Sequence, residues 1–253
     1  IDLQFAGTLA EPAIDGRVAL GGGHYENLET GTVLSQMEIV ARPSASAIVI
    51  ERASARDGGD GTISASGRVD FGGDELVTMD LSAHFREARL IRRDELIASI
   101  SGDLALTGST EDRLVSGQLR VDEAEVRLVG GLPPNVVDLD VVEKGKGAAP
   151  TESRAVAAPS RTRLDLRIDM PRRIFVRGRG LDSEWGGELT VRGTTATPRV
   201  EGELRPLRGR YDFVGKFFTL RQGSITFTGE EEVNPSLDLS ADCLLYTSPS
   251  PRD

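Results

Sequence analysis

The sequence predicts an all-β chain: an elongated, curled, trough-like sheet, mostly antiparallel, with an apolar groove. Three observations carry this. Apolar and polar residues alternate with a period of two through the readable stretches, the signature of strands with one buried face. Twenty-nine glycines and 12 prolines supply frequent turn signals. Aromatic residues number only 12 in 253, sparse for the close packing of a filled sandwich. A loosely filled apolar trough fits that composition, and an ordinary β-sandwich stays consistent with it.

A repeated frame organises the chain. Phe5–Gly16, Leu106–Gly117 and Val191–Gly202 align, each pairing two glycines nine positions apart: Gly7 with Gly16, Gly108 with Gly117, Gly193 with Gly202. Tyr25, Val126 and Tyr211 follow nine positions later. The frame reads as strand, short turn, strand, second turn and third strand, repeated along an elongated sheet. Roughly eighteen strands at about 4.8 Å spacing would extend near 85 Å.

Taken in order, Ile63–Phe71 alternates, and Val77, Met79, Leu81, Ala83 and Phe85 alternate with Thr78, Asp80, Ser82, His84 and Arg86. The stretch 87–98 places Leu90, Ile91, Leu96 and Ile97 on one helical stripe, so at most one short helix is expected there. Strand patterning returns at Leu104–Leu106 and Val115–Val121. Residues 1–142 thus read as a repetitive sheet segment, and the polar, Pro-bearing segment 143–161 as a flexible linker. From 162 to 242 a second sheet segment opens with Leu164, Leu166, Ile168 and Met170 alternating with Arg163, Asp165, Arg167 and Asp169. Residues 243–253 break the pattern and read as a sequencing or assembly scar; with no initiator Met or leader, the start reads as internal to a longer protein.

Composition excludes several classes. Forty acidic against 30 basic residues leave a net charge of −10, with no basic footprint for nucleic acid. Cys243 is the single cysteine, so no internal disulfide forms. No run of about 18 apolar residues would cross a bilayer as a helix. Gly21-Gly22-Gly23 lacks a following helix and the Lys-Ser/Thr of a phosphate loop. His24 and His84 lack metal-ligand spacing, and Asp57–Gly61 reads as a hairpin turn before it reads as a calcium loop. The basic cluster Arg86, Arg89, Arg92 and Arg93 reads as a solvated face, with lipid headgroups as the alternative. No nucleophile–base arrangement or paired-carboxylate site is defensible, so neither an enzyme nor a cofactor or metal is expected.

The C-terminal third carries a more specific pattern. Gly178-Arg-Gly-Leu181 is followed by Arg208-Gly-Arg-Tyr-Asp-Phe-Val-Gly-Lys-Phe-Phe-Thr-Leu220, Gly223-Ser-Ile-Thr-Phe227 and Asn234-Pro-Ser-Leu-Asp-Leu-Ser-Ala241. These motifs, in this order, resemble the C-terminal domain of the TamB family (translocation and assembly module, inner-membrane component). The resemblance is specific over 172–241 and diffuse over 1–142. It implies a protein anchored in the inner membrane by an N-terminal helix, crossing the periplasm as a curled sheet with an apolar groove. It implies an outer-membrane partner, a TamA-like barrel of the Omp85 type, met through residues beyond those present. It further implies a role in assembling outer-membrane proteins, notably autotransporters, or in moving phospholipids between membranes.

On this basis the expected groove lining, for acyl chains or nascent outer-membrane strands, is Leu164, Leu166, Ile168, Met170, Leu189, Val191, Val200 and Leu204. Tyr211, Phe213, Phe218, Leu220, Ile225, Phe227, Leu237 and Leu239 complete it. Plain sheet core stays open for each. Gly178, Gly180, Gly209, Gly215 and Gly223 are expected at turns, bulges or close approaches. A surface scaffold, an adhesin-like sandwich or solenoid, is the rival reading; a carbohydrate-active β-helix would need clustered acids that the Arg/Asp alternation does not offer.

Overall fold

The computed structural model describes residues 2–7, 12–71, 77–128 and 161–243. All regular structure among them is strand: β1 (Asp2–Gly7), β2 (Pro12–Asn27), β3 (Thr32–Pro43), β4 (Ala47–Arg56), β5 (Thr62–Asp70), β6 (Thr78–Arg92) and β7 (Leu96–Ser109). The series continues with β8 (Asp112–Arg127), β9 (Arg161–Gly178), β10 (Leu181–Thr194), β11 (Pro198–Phe213), β12 (Lys216–Thr228) and β13 (Ser236–Cys243). They form one 13-stranded sheet in sequence order, open at β1 and β13. Each neighbouring pair is antiparallel except β8 with β9, which run parallel from Asp112↔Arg161 to Arg127↔Arg177. Of the expected linker 143–161 all but Arg161, which opens β9, and of the expected scar 243–253 all but Cys243, which ends β13, lie outside the described residues.

The repeated frame is a hairpin in fixed register. Gly7 opposes Pro12 and Leu3 opposes Gly16; Gly108 opposes Arg113 and Leu104 opposes Gly117; Gly193 opposes Pro198 and Leu189 opposes Gly202. The expected second turn and third strand are absent. Tyr25, Val126 and Tyr211 instead lie far along β2, β8 and β11, each 16 residues long. Where turns were expected, register shifts occur: between Leu20 and Gly23 in β2, between Arg120 and Ala124 in β8, and opposite the Glu184/Trp185 shift in β11. A bulge absorbs extra residues and lets the strand run on. Hence the described residues form 13 strands rather than eighteen, and a sheet roughly 60 Å wide along its arc.

The expected helix at 87–98 is likewise replaced by strand. Its residues close β6, turn at 93–95 and open β7, with Ile91 opposite Ala98 and Arg92 opposite Ile97. Arg93 and Leu96 exchange backbone hydrogen bonds at 2.9 and 3.2 Å across that turn. A bulge between Phe85 and Ala88, with Glu87 in the left-handed region at φ 49°, returns Ala88 to the buried side. Pairing with two neighbouring strands satisfies the backbone and buries Ala88 completely, which outweighs the weak helical stripe.

The sheet bends at one end. Arg92 N–H donates to the Thr30 carbonyl at 2.9 Å, and the Thr32 hydroxyl to the Leu90 carbonyl at 2.5 Å. These ties join β3 to β6 directly, although β4 and β5 separate them in the sheet. In a flat sheet they would lie about 14 Å apart; here the short β4–β5 hairpin ends beneath and its neighbours close over it. Asp57, in that hairpin turn, is 3% exposed. Its carboxylate accepts the N–H of Gly59 at 2.8 Å and of Arg89 at 2.9 Å. The turn reading of Asp57–Gly61 holds, but its acid is a buried structural group. Of the basic cluster, Arg92 donates to the Asp57 carbonyl and Arg93 to the Glu29 carbonyl at 3.0 Å, while Arg86 and Arg89 stay exposed.

Candidate apolar binding face

Alternation and register together build one continuous apolar face. Across it runs a row Leu81, Leu106, Val115, Leu164. Beside it lie Ala83, Leu104, Gly117, Leu166, Val191, Val200 and Phe85, Gly102, Leu119, Ile168, Leu189, Gly202, Phe227. A fourth row is Met170, Gly187, Leu204, Ile225, Leu237. Gly202 is required where it stands: φ is 133°, and a Cβ would lie 2.2 Å from the Glu188 carbonyl oxygen.

The opposite face is ionic. Arg167 pairs with Glu188 at 2.7 Å and Arg163 with Asp112 at 3.0 Å, while Arg192 reaches Asp165 at 3.5 Å and Glu201 at 3.7 Å. Glu184 is held below the usual glutamate range, first by the Arg173 N–H and then by the Arg208 guanidinium. His24 and His84 sit on exposed strand positions, bonded to Glu26 at 2.8 Å and Asp103 at 2.9 Å. Among the described residues no group of three metal-ligating side chains converges.

Core packing under the apolar face is thin. Among the described residues only Ala124, Met170, Ile174 and Trp185 form a buried cluster, with Ile168, Leu189, Leu204 and Ile225 partly buried against it. Among the described residues no second layer covers the remainder. A monomer rarely leaves an apolar face of this extent to water.

Near the C-terminal end the face deepens into an open hollow of about 410 Å³ lined by Leu181, Trp185, Tyr211, Phe213, Phe218, Leu220, Leu239 and Ala241. Tyr211 stacks on Phe213 at 6.0 Å between ring centroids and tilts against Phe218 at 6.5 Å. Trp185 floors the hollow; its indole N–H donates to the Ser183 hydroxyl at 2.8 Å, and that hydroxyl donates to the Val176 carbonyl at 3.1 Å. Gly209 lets the strands close here, since a Cβ would meet Leu220 Cδ1 at 2.5 Å and Ser183 Cβ at 2.9 Å.

All sixteen sequence-predicted lining residues thus fall on this face or around this hollow, although Leu237, Leu239 and Phe213 are largely open to solvent. A register shift between Leu220 and Gln222 explains how Phe218 and Leu220, at even positions, share a face with Ile225 and Phe227, at odd ones. Trp185 and Leu181 were missed. Their odd parity with Leu189 and Val191 was the available signal. Of the five glycines singled out, Gly178, Gly180, Gly215 and Gly223 have positive φ, and Gly209 is the close approach just described.

Comparison with known proteins agrees with these motifs. A family model described as the TamB C-terminal domain matches residues 51–248. The translocation and assembly module subunit TamB of Haemophilus influenzae is 22% identical over 191 residues, covering 72% of this chain. The chain spans about 15% of that relative's length. No solved structure matches it. With most of its length matched by the family model, the chain belongs to the TamB family, as a C-terminal-domain member.

Proposed function

We propose that this chain is a stretch of non-enzymatic, periplasmic β-groove in a longer inner-membrane-anchored protein. The groove carries extended apolar cargo toward the outer membrane: phospholipid acyl chains, nascent outer-membrane protein strands such as those of autotransporters, or both. A TamA-like Omp85 barrel is the partner of the whole protein in this reading. The observation that supports it most is the continuity of the apolar rows from β6 to β12 with an ionic face behind them. Such a surface binds by length and not by shape: each buried CH₂ contributes about 0.8 kcal/mol, so a long chain is held firmly yet slides between equivalent positions.

Photocrosslinking amino acids at Leu166, Val191 and Phe213 test this directly, with Arg167 and Arg192 on the ionic face as controls. Lipid or outer-membrane-protein adducts from the first three and none from the controls are expected. Adducts only to soluble proteins, equal on both faces, would sink the groove.

A further inference from the structure

At the end of the apolar hollow the β11–β12 hairpin projects a tip of unusual make-up. Val214 is 86% exposed and Phe213 55% exposed. Val214 is held at φ 52°, a conformation that a β-branched residue adopts only against steric strain. Asparagine or glycine would turn the chain there without that cost. A strained, exposed valine therefore calls for a role that polar turn residues do not fill.

The surroundings give the occupant. The whole chain carries a net charge of −10, yet residues 171–221 hold eleven basic and six acidic residues. Lys216 flanks the tip with no ion pair among the described residues, and Arg210 lies over the Phe217 ring at 4.9 Å. The adjoining β9–β10 turn brings Arg179 alongside, tied by the Asp212 N–H to the Gly180 carbonyl at 2.9 Å. Apolar side chains at a point, with cations set just behind them, match the depth profile of an anionic bilayer surface. From that point Phe213 and Tyr211 lead, ring upon ring, into the hollow floored by Trp185.

We propose that the Phe213-Val214-Gly215-Lys216 tip docks on an anionic phospholipid surface, with Phe213 and Val214 in the interface and Lys216 and Arg210 against the phosphates. The proposal goes beyond the groove reading and stands without it.

Vesicle flotation of the 253-residue chain tests it, comparing pure phosphatidylcholine with a mixture containing one part in three phosphatidylglycerol. Preferential binding to the mixture is expected. V214N relieves the backbone strain, so its melting temperature equals or exceeds that of the parent while vesicle affinity falls about tenfold. K216Q lowers affinity about fivefold, an effect that salt abolishes. Undiminished binding by the V214N/K216Q double variant, or equal binding to both vesicle types, overturns the proposal. So does a parent dimer that V214N converts to monomer without any vesicle binding, which would give the tip to a second copy of the chain. Quenching of Trp185, the one tryptophan, by acyl-brominated lipid separates the two readings. Flotation without quenching leaves the tip standing and removes acyl chains from the hollow. Quenching by short-chain monomeric lipid without flotation does the reverse.

Discussion

The Asp57 carboxylate accepts the backbone N–H of Arg89, 32 residues away in sequence, at 2.9 Å. Together with Arg92 bound to the Asp57 carbonyl, this contact fastens the β4–β5 turn under the end of β6 where the sheet bends. D57A leaves the Arg89 and Gly59 donors unpaired in a buried site, so a loss of about 2–3 kcal/mol is expected. Thermal denaturation reads it. A change within about 0.5 kcal/mol would show that the clamp is incidental.

The same group sets a pH signature. Burial alone would raise the Asp57 pKa, but the Arg89 and Gly59 N–H groups, the Arg92 charge and the Gly61 N–H outweigh it and leave it lowered from 3.8. Its contribution is therefore whole above the unfolded value and is lost as pH falls through the folded one. The difference in melting temperature between parent and D57A stays flat from about pH 5 to pH 8 and narrows only below about pH 4. Narrowing in the neutral range would contradict the assignment.

Ser183 and Trp185 act as a pair. S183A strands a buried indole N–H and costs about 1–3 kcal/mol. W185F removes that donor, so S183A/W185F is less destabilised than the sum of the single variants. A double-mutant cycle in urea measures the coupling, and strict additivity would mean the 2.8 Å hydrogen bond contributes nothing.

Glycines divide by environment. G209A drives a methyl group into Leu220 and Ser183 and costs about 1–3 kcal/mol. Gly21, with nothing within 4 Å of its virtual Cβ, tolerates alanine within about 0.5 kcal/mol. Equal midpoints for the two variants in urea would refute this contrast.

The ionic face contributes little to stability. Arg167 and Glu188, 63% and 55% exposed in their side chains, interact by less than about 1 kcal/mol. R167Q and E188Q each leave the melting temperature within a degree or two of the parent, and a larger drop would assign this face a structural role.

Much of this molecule is local and so readable from sequence. Period-two alternation alone places Leu164, Leu166, Ile168 and Met170 on one face, because side chains in a strand must alternate. The glycine frame fixed hairpins such as Leu189 opposite Gly202, because a short turn sets register. The family was legible in the spacing from Gly178 to Ala241. Tertiary structure decided the rest. Whether Gly21–Gly23 or Arg205-Pro206 ends a strand or only bulges it depends on the neighbouring strand, which supplies the hydrogen bonds that keep it running. The stripe at 87–98 became strand for the same reason. The parallel β8–β9 junction and the reach of Arg92 to Asp57 join residues whose separation in sequence leaves no periodic trace. So the alternation and local hairpins made a one-faced sheet, and only the parallel β8–β9 pairing and the ties from β3 to β6 joined its two halves and bent its end.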